Sequence, residues 1–226
     1  MPEHHGYRRP MAGPLDGIRI VDLSVALTGP LAAGMLVDQG ADCIKVEQAP
    51  TGDVIRWLGS TVSGISSMFQ VANRGKRSVV LDLRQADGMA ILRDLIVDAD
   101  VLVQNFRPGV AERLGVAYAD IRSIRPDIVY ADLTGFGPKG PYSHRRVYDT
   151  VIQAQSGLAA SQTGINDDQP KFLKQLVCDK VTAYTACQAI TAALFARDRG
   201  AGGQHLELSM LDACIAFLFV DGADHE

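Results

Sequence analysis

Ile18-Arg19-Ile20-Val21-Asp22-Leu23 is the run whose reading decides the fold. Its β-branched residues favour an extended strand. Gly29-Pro30 then opens a helical pattern over 31–38, and Gly40 closes it. A second strand is expected at 42–46. After a long irregular stretch the same unit returns. A strand is expected at 78–83, and an amphipathic helix at 85–98 aligns Met89, Leu92, Leu95 and Ile96 on one face. Strands at 101–103 and 128–133 follow, the second after a helical stretch carrying Ile121 and Ile124. Strands that alternate with helices imply a parallel sheet with crossover helices. Such sheets bind ligands beyond the carboxyl ends of their strands, so the loops after the strands are where chemistry belongs.

The second half is richer in helix. The pattern predicts a helix at 148–160 and a long apolar helix at 179–198 with many small residues, ending before Gly200. A strand at 204–209 and an apolar segment at 211–220 come last. The expected organisation is a flexible tail over 1–13, one domain over 14–220, and the start of a linker over 221–226. Apolar residues make up 47% and charged residues 21% of the 226, enough for a sizeable core. The net charge of −4, with no basic run, argues against a nucleic-acid partner. Cys43, Cys178, Cys187 and Cys214 match no zinc or redox spacing, which points to buried thiols in a reduced, cytoplasmic protein. No apolar stretch has the length of a membrane span, and the tail has no apolar core of a signal peptide. His4-His5 alone makes no metal site, and no metal is expected.

Familiar phosphate and nucleophile signatures are missing. The sequence has no G-x-x-x-x-G-K-[ST], no G-x-G-x-x-G after the first strand, and no G-x-S-x-G. The loops instead carry cations: Arg56, then Arg74, Lys76 and Arg77, then Arg107 and Arg113, then Lys139, Arg145 and Arg146. In an acidic protein this suits a polyanionic ligand; solvated loop charge accounts for it equally simply. Two carboxylates, Asp149 and Asp179, begin predicted helices beside apolar residues. Either could be an ordinary N-cap. Either could also be a carboxylate kept ionised by the helix dipole, as a nucleophile requires.

In order along the chain stand Pro14-Leu-Asp-Gly-Ile-Arg-Ile-Val-Asp-Leu-Ser24, Gly29-Pro30 and Gly40-Ala-Asp-Cys-Ile-Lys-Val-Glu47. Then come Asn73-Arg-Gly-Lys-Arg-Ser78, Leu81-Asp-Leu83 and Asp100-Val-Leu-Val-Gln-Asn-Phe-Arg-Pro-Gly109. Arg113-Leu-Gly115, Thr134-Gly-Phe-Gly-Pro-Lys-Gly-Pro-Tyr142 and Tyr148-Asp-Thr-Val-Ile-Gln-Ala-Gln-Ser-Gly157 complete the set. Together these resemble the family III CoA-transferases, the group of formyl-CoA and carnitine CoA-transferases and the related α-methylacyl-CoA racemases.

The resemblance implies a Rossmann-like α/β large domain, with a small C-terminal domain and a glycine-rich active-site loop lying outside this sequence. It implies acyl-CoA and a small carboxylic acid as substrates and no permanently bound cofactor. It also implies a homodimer, interlocked in the family, or a partner subunit. By position it assigns the catalytic role to Asp179. It assigns CoA contacts to Val25, Ala26, Leu27 and Thr28, to Asn73, Arg74, Lys76 and Arg77, and to Asn105, Phe106, Arg107 and Arg113. Arg146, Tyr148 and Asp149 complete them. Leu27 stands where formyl-CoA transferase has glutamine, and Gln48 where it has a CoA-binding arginine, which disfavours an oxalate-like acceptor. Tyr148 stands where the racemases have a histidine, which favours transfer through an aspartyl-CoA intermediate. An acyl-CoA racemase, or a non-catalytic CoA-binding piece, is the alternative. Without the glycine-rich loop, the 226 residues alone are expected to turn over little.

Overall fold

The run at 18–23 forms β1 (Arg19–Asp22), the strand about which the others are arranged. A computed structural model describes residues 13–163 and 169–222. After β1 come α1 (Thr28–Asp38), β2 (Asp42–Gln48), a short hairpin of β3 (Thr61–Val62) and β4 (Ile65–Ser66), α2 (Ser67–Asn73) and β5 (Arg77–Leu81). Next are α3 (Ala86–Val97), β6 (Val101–Gln104), α4 (Val110–Leu114), α5 (Tyr118–Ile124) and β7 (Val129–Thr134). The chain continues through α6 (Asp149–Gln155), α7 (Leu158–Ser161), α8 (Val177–Ala196), β8 (Gln204–Ser209) and α9 (Met210–Gly222).

The main sheet has six strands in the order β5-β2-β1-β6-β7-β8, with every neighbouring pair parallel. Counting only its own strands, this is the 3-2-1-4-5-6 order of doubly wound sheets. The order reverses between β1 and β6, so a crevice opens at their carboxyl ends. Alternate residues supply two cores. Ile20, Val101, Val103, Val129 and Ala131 pack under α1 and α8. Val21, Leu102, Ile128 and Tyr130 pack under α3 and α5. All four residues of β6 are buried, and Val101, Leu102 and Val103 form a continuous apolar run, ended by Gln104, rather than an alternating pattern. Truncating a residue such as Leu102 to alanine would cost about 2–5 kcal/mol.

Packing of α1 on α8 positions the site. Ala32 and Ala33 of α1 meet the layer of Ala183, Ala186 and Ala193 of α8 in one cluster, and small side chains allow two helices to approach closely. Each helix follows the sheet with its N-terminus at the carboxyl end of the strands, so both N-termini converge on the crevice.

Three expectations change. The helix expected at 148–160 is two helices, because Gly157 adopts a left-handed φ of 85° between them. The stretch before β5 is not irregular but holds the hairpin and α2, whose N-cap Ser66 accepts from Phe69 N–H. α9 runs through Gly222, past the expected boundary at 220. The tail, save Gly13, and residues 223–226 lie outside the described residues. Among the described residues no helix is long and apolar enough to cross a membrane. Among them, too, no group of His, Cys, Asp and Glu could hold a metal ion, and the four cysteines are buried and free.

Candidate active site

The loop joining β1 to α1 is built tightly. Gly29 is required there, since a Cβ would lie 2.3 Å from the Ser24 Cβ. Ala26 has a φ of 63°, a left-handed conformation that costs a non-glycine residue about 1–2 kcal/mol. Its N–H donates to Asp53 Oδ1 at 3.0 Å, and a bond to a charged acceptor is worth about 1.5–3 kcal/mol, enough to hold the strained residue. On the other side Val25 N–H donates to Asn105 Oδ1 and Val25 O accepts from Asn105 Nδ2, both at 2.8 Å. One amide side chain thus bridges the loops after β1 and β6, across the point where the strand order reverses.

Beneath that loop lies a buried set of charges. Lys45 Nζ sits 2.9 Å from Asp53 Oδ2 and 3.9 Å from Asp22 Oδ2, and donates to Ser24 O at 2.8 Å. Lys76 Nζ donates to Asp22 Oδ2 at 2.8 Å, Pro30 O at 2.7 Å and Asn73 Oδ1 at 3.0 Å. Burial alone would raise the Asp22 pKa, yet Lys76 and Lys45 outweigh it and hold the carboxyl below its ordinary range. Burial likewise pulls the Lys45 pKa down, and Asp22 and Asp53 together raise it instead. Glu47 anchors the next segment, accepting from Arg56 twice at 2.6 Å, from Ser78 Oγ at 2.5 Å and from Asp53 N–H at 2.9 Å.

Asp179 lies in the first turn of α8. Its Oδ1 accepts from Thr28 Oγ1, and its backbone N–H donates to Asp149 Oδ2 at 2.9 Å. The other Asp149 oxygen accepts from Gln153 Nε2 at 2.6 Å. Neither aspartate caps its own helix: Tyr148 and Leu176 hold the N-cap positions without side-chain bonds. Asp149 instead satisfies an amide at the start of α8. The Asp179 pKa lies above the ordinary carboxylate value. Burial pushes it up, Asp149 adds to that, and Thr28 and Lys180 offset only part of it.

A cavity of about 540 Å³ holds Asp179 at the crevice. Among its walls are Ala26, Leu27, Thr28, Asn105, Phe106, Arg107, Arg146, Tyr148 and Asp149, so ten of the positions singled out in the sequence, counting Asp179, meet in one place. Val54, Leu58, Met68, Leu176 and Met210 give it an apolar side, and Arg145 joins Arg107 and Arg146 as a cation. A second pocket of about 270 Å³ adjoins it, with Phe106 lining both. Val25 and Gln48 line this second pocket with Leu81, Asp82, Leu83, Arg84, Val110 and Leu114. Residues 81–84 were not singled out as contacts, although they follow a strand at its carboxyl end, the place where ligand loops are expected.

The structure does not bring Asn73, Arg74, Lys76 or Arg77 to either pocket. They lie just before β5 or, for Arg77, begin it, and so sit at its amino end. Asn73 and Lys76 belong to the buried charge set, Arg74 Nε donates to Asp38 at 3.0 Å, and Arg77 Nε donates to Asp42 at 3.2 Å. Arg113 lies on α4 beside Gly109, outside both linings. Arg56, though at a strand end, is occupied by Glu47 and lies 3.9 Å over the Phe69 ring.

A doubly wound sheet that gathers a carboxylate and cations at its switch point belongs to the class of α/β folds that bind ligands in that crevice. Within that class, the sequence model of CoA-transferase family III matches residues 15–225, and the chain belongs to that family. It is 40% identical over 210 residues to the acetyl-CoA:oxalate CoA-transferase of Acetobacter aceti, covering 91% of this chain and 53% of that protein. It is 39% identical over 212 residues to the succinate–glutarate CoA-transferase of Agrobacterium fabrum, with the same coverage of 91% and 53%. The crystal structure of a CaiB/BaiF family protein from Brucella suis superposes with a TM-score of 0.89 at 36% identity, over 94% of this chain and 57% of that one. The chain thus spans about half the length of the curated relatives it matches.

Proposed function

We propose that this chain supplies the CoA-binding and nucleophile-bearing part of an enzyme that moves CoA from an acyl-CoA to a carboxylic acid. One observation carries the reading: a shielded carboxylate, Asp179, shares a cavity with Arg107, Arg145 and Arg146. The adjoining pocket of Leu81, Leu83, Arg84, Gln48 and Phe106 takes the nucleotide end, with apolar walls for a base; Arg84, held by Asp82 at 2.8 and 2.9 Å, exchanges that acid for a phosphate. The pantetheine arm passes Val25 and Phe106, and the thioester meets Asp179. Relatives named for CoA transfer support the same reading.

Exchange of one thioester for another needs little net energy, so the barrier is kinetic, and covalent catalysis divides it. Asp179 Oδ2 attacks the acyl carbon and the C–S bond breaks, giving a mixed anhydride and CoA thiolate. The thiolate attacks the Asp179 Cγ and releases the donor acid, leaving an aspartyl-CoA thioester. The acceptor acid then runs the two steps in reverse. A carboxylate is needed because one group must be acid, anhydride and thioester in turn. The raised pKa of Asp179 fits a nucleophile kept less solvated than a surface carboxylate.

Asp179→Ala is expected to abolish transfer and the hydroxylamine-sensitive adduct while CoA still binds by calorimetry. Retention of most of the turnover would sink the assignment. Exchange of an α-proton of the acyl group into deuterated solvent, without CoA transfer, would favour racemisation instead. The proposal includes a homodimer or a partner subunit. Exposed apolar side chains along α9, among them Ile215, Phe217, Phe219 and Val220, support it, and light scattering measures it.

A further inference from the structure

We propose that the Thr28 hydroxyl is the oxyanion donor for each addition at the Asp179 carboxyl carbon, which rests on the reading of Asp179 as the nucleophile. Position alone would make Thr28 a CoA contact; its bond is to the aspartate. Thr28 Oγ1 donates to Asp179 Oδ1 between residues 151 apart in sequence. Thr28 is 5% exposed and is the first residue of α1. Its approach is held by Asn105 on Val25 and Asp53 on Ala26, and Asp179 is held at its own N–H by Asp149. Neither partner can move far from the other.

The engaged oxygen is the one on which charge builds. With Oδ1 taken, Oδ2 is the oxygen that attacks the acyl carbon, and the C–S electron pair leaves on CoA thiolate. The thiolate then adds to Cγ, an S–Cγ bond forms, and the π pair of Cγ=Oδ1 moves onto Oδ1. The bond from Thr28 tightens as that charge appears. Collapse restores Cγ=Oδ1, breaks Cγ–Oδ2, and sends Oδ2 out in the donor carboxylate. An oxygen of the acceptor acid later replaces it at Cγ, again placing charge on Oδ1 before thiolate leaves. The Thr28 proton stays on Oγ1 throughout. Asp149 from α6 and Lys180 from α8 act on the carboxyl through their charge, Thr28 from α1 through its hydrogen bond, and Arg107, Arg145 and Arg146 line the same cavity.

The test compares Thr28→Val, which keeps the shape, with Thr28→Ser, which keeps the donor, and with Asp179→Asn. Acetyl-CoA and succinyl-CoA serve as probes, the CoA adduct is timed by intact mass, and CoA affinity is measured by calorimetry. Thr28→Val is expected to form the adduct on the order of 10²-fold more slowly, with CoA affinity kept and the rate largely restored by Thr28→Ser. Independently of turnover, the carboxyl carbon of Asp179, followed by NMR in aspartate-labelled protein, is expected to titrate at higher pH in Thr28→Val than in the parent or Thr28→Ser. An adduct rate within about threefold of the parent in Thr28→Val, on the same scale of one lost donor, overturns the proposal. So does an unmoved titration, which decides the matter alone if neither probe labels the parent. If Asp179→Asn still forms the adduct, the reading of Asp179 falls rather than the role of Thr28.

Discussion

Replacing Asp53 by asparagine removes one charge from the buried set beneath the β1–α1 loop and little else. The amide oxygen of the new side chain could still accept from the N–H groups of Ala26 and Ile55, now 3.0 and 3.1 Å from Asp53 Oδ1. The second atom changes most: an NH₂ would face the Lys45 ammonium, which now lies 2.9 Å from Asp53 Oδ2. Lys45 would retain Ser24 O at 2.8 Å and Asp22 at 3.9 Å, but Asp22 is already shared with Lys76 at 2.8 Å. Two buried cations would then share one anion. Removing one partner of a buried pair costs about 3–5 kcal/mol, and the surviving contact to Asp22 argues for the lower end, about 3 kcal/mol. With urea m-values of about 1–3 kcal/mol/M, the unfolding midpoint should fall by about 1 M or more. Urea titration followed by far-ultraviolet circular dichroism measures it. The sign with pH follows from the raised Lys45 pKa. Its stabilisation is complete below the ordinary lysine value and lost above it, so the gap between parent and Asp53→Asn should narrow in alkali. A midpoint within about 0.2 M of the parent at neutral pH, well below that scale, would refute the idea that this charge set holds the loop.

Two further predictions use the same framework. Burial pushes the Glu47 carboxyl up, but Arg56, Ser78 and the Asp53 N–H outweigh it and bring its pKa to about 2. That stabilisation is present above the ordinary glutamate value and lost as pH falls toward 2, so thermal melts of Glu47→Gln and parent should differ at neutral pH and converge near pH 2. Asp149 helps raise the Asp179 pKa, so Asp149→Asn should move the acid limb of kcat/KM for CoA transfer to lower pH. An unmoved limb in a pH–rate profile would contradict that coupling.

The parallel sheet was legible because its signals are local. Ile18 to Leu23 and Val101 to Val103 are short apolar runs between turn residues, and helices with clear periodicity separate them. α2 was not, since seven residues are too few for a periodic face and its cap is one serine. The break at Gly157 was hidden because a glycine inside a helical pattern also fits an unbroken helix. At the site, residues read as contacts from several loops line one cavity with Asp179, while the cations at the amino end of β5 line neither pocket. Composition cannot say whether a lysine is solvated, bound to ligand or paired with an acid far away. Lys76 pairs with Asp22, 54 residues earlier, and Arg74 with Asp38, 36 residues earlier. The same distance blindness made Asp149 look like a cap for its own helix, when its acceptor serves an amide 30 residues on.

The contact between α1 and α8 joins two ends of the described chain, and it sets a timetable. A contact of such sequence separation forms only after the intervening chain has collapsed onto the sheet. While a ribosome is still making the first 150 residues, the hydroxyl at position 28 has no carboxylate to meet. The contact between Thr28 and Asp179 is therefore among the last things the folding polypeptide acquires, and half-made or partly opened chains carry the strand-end loops without it.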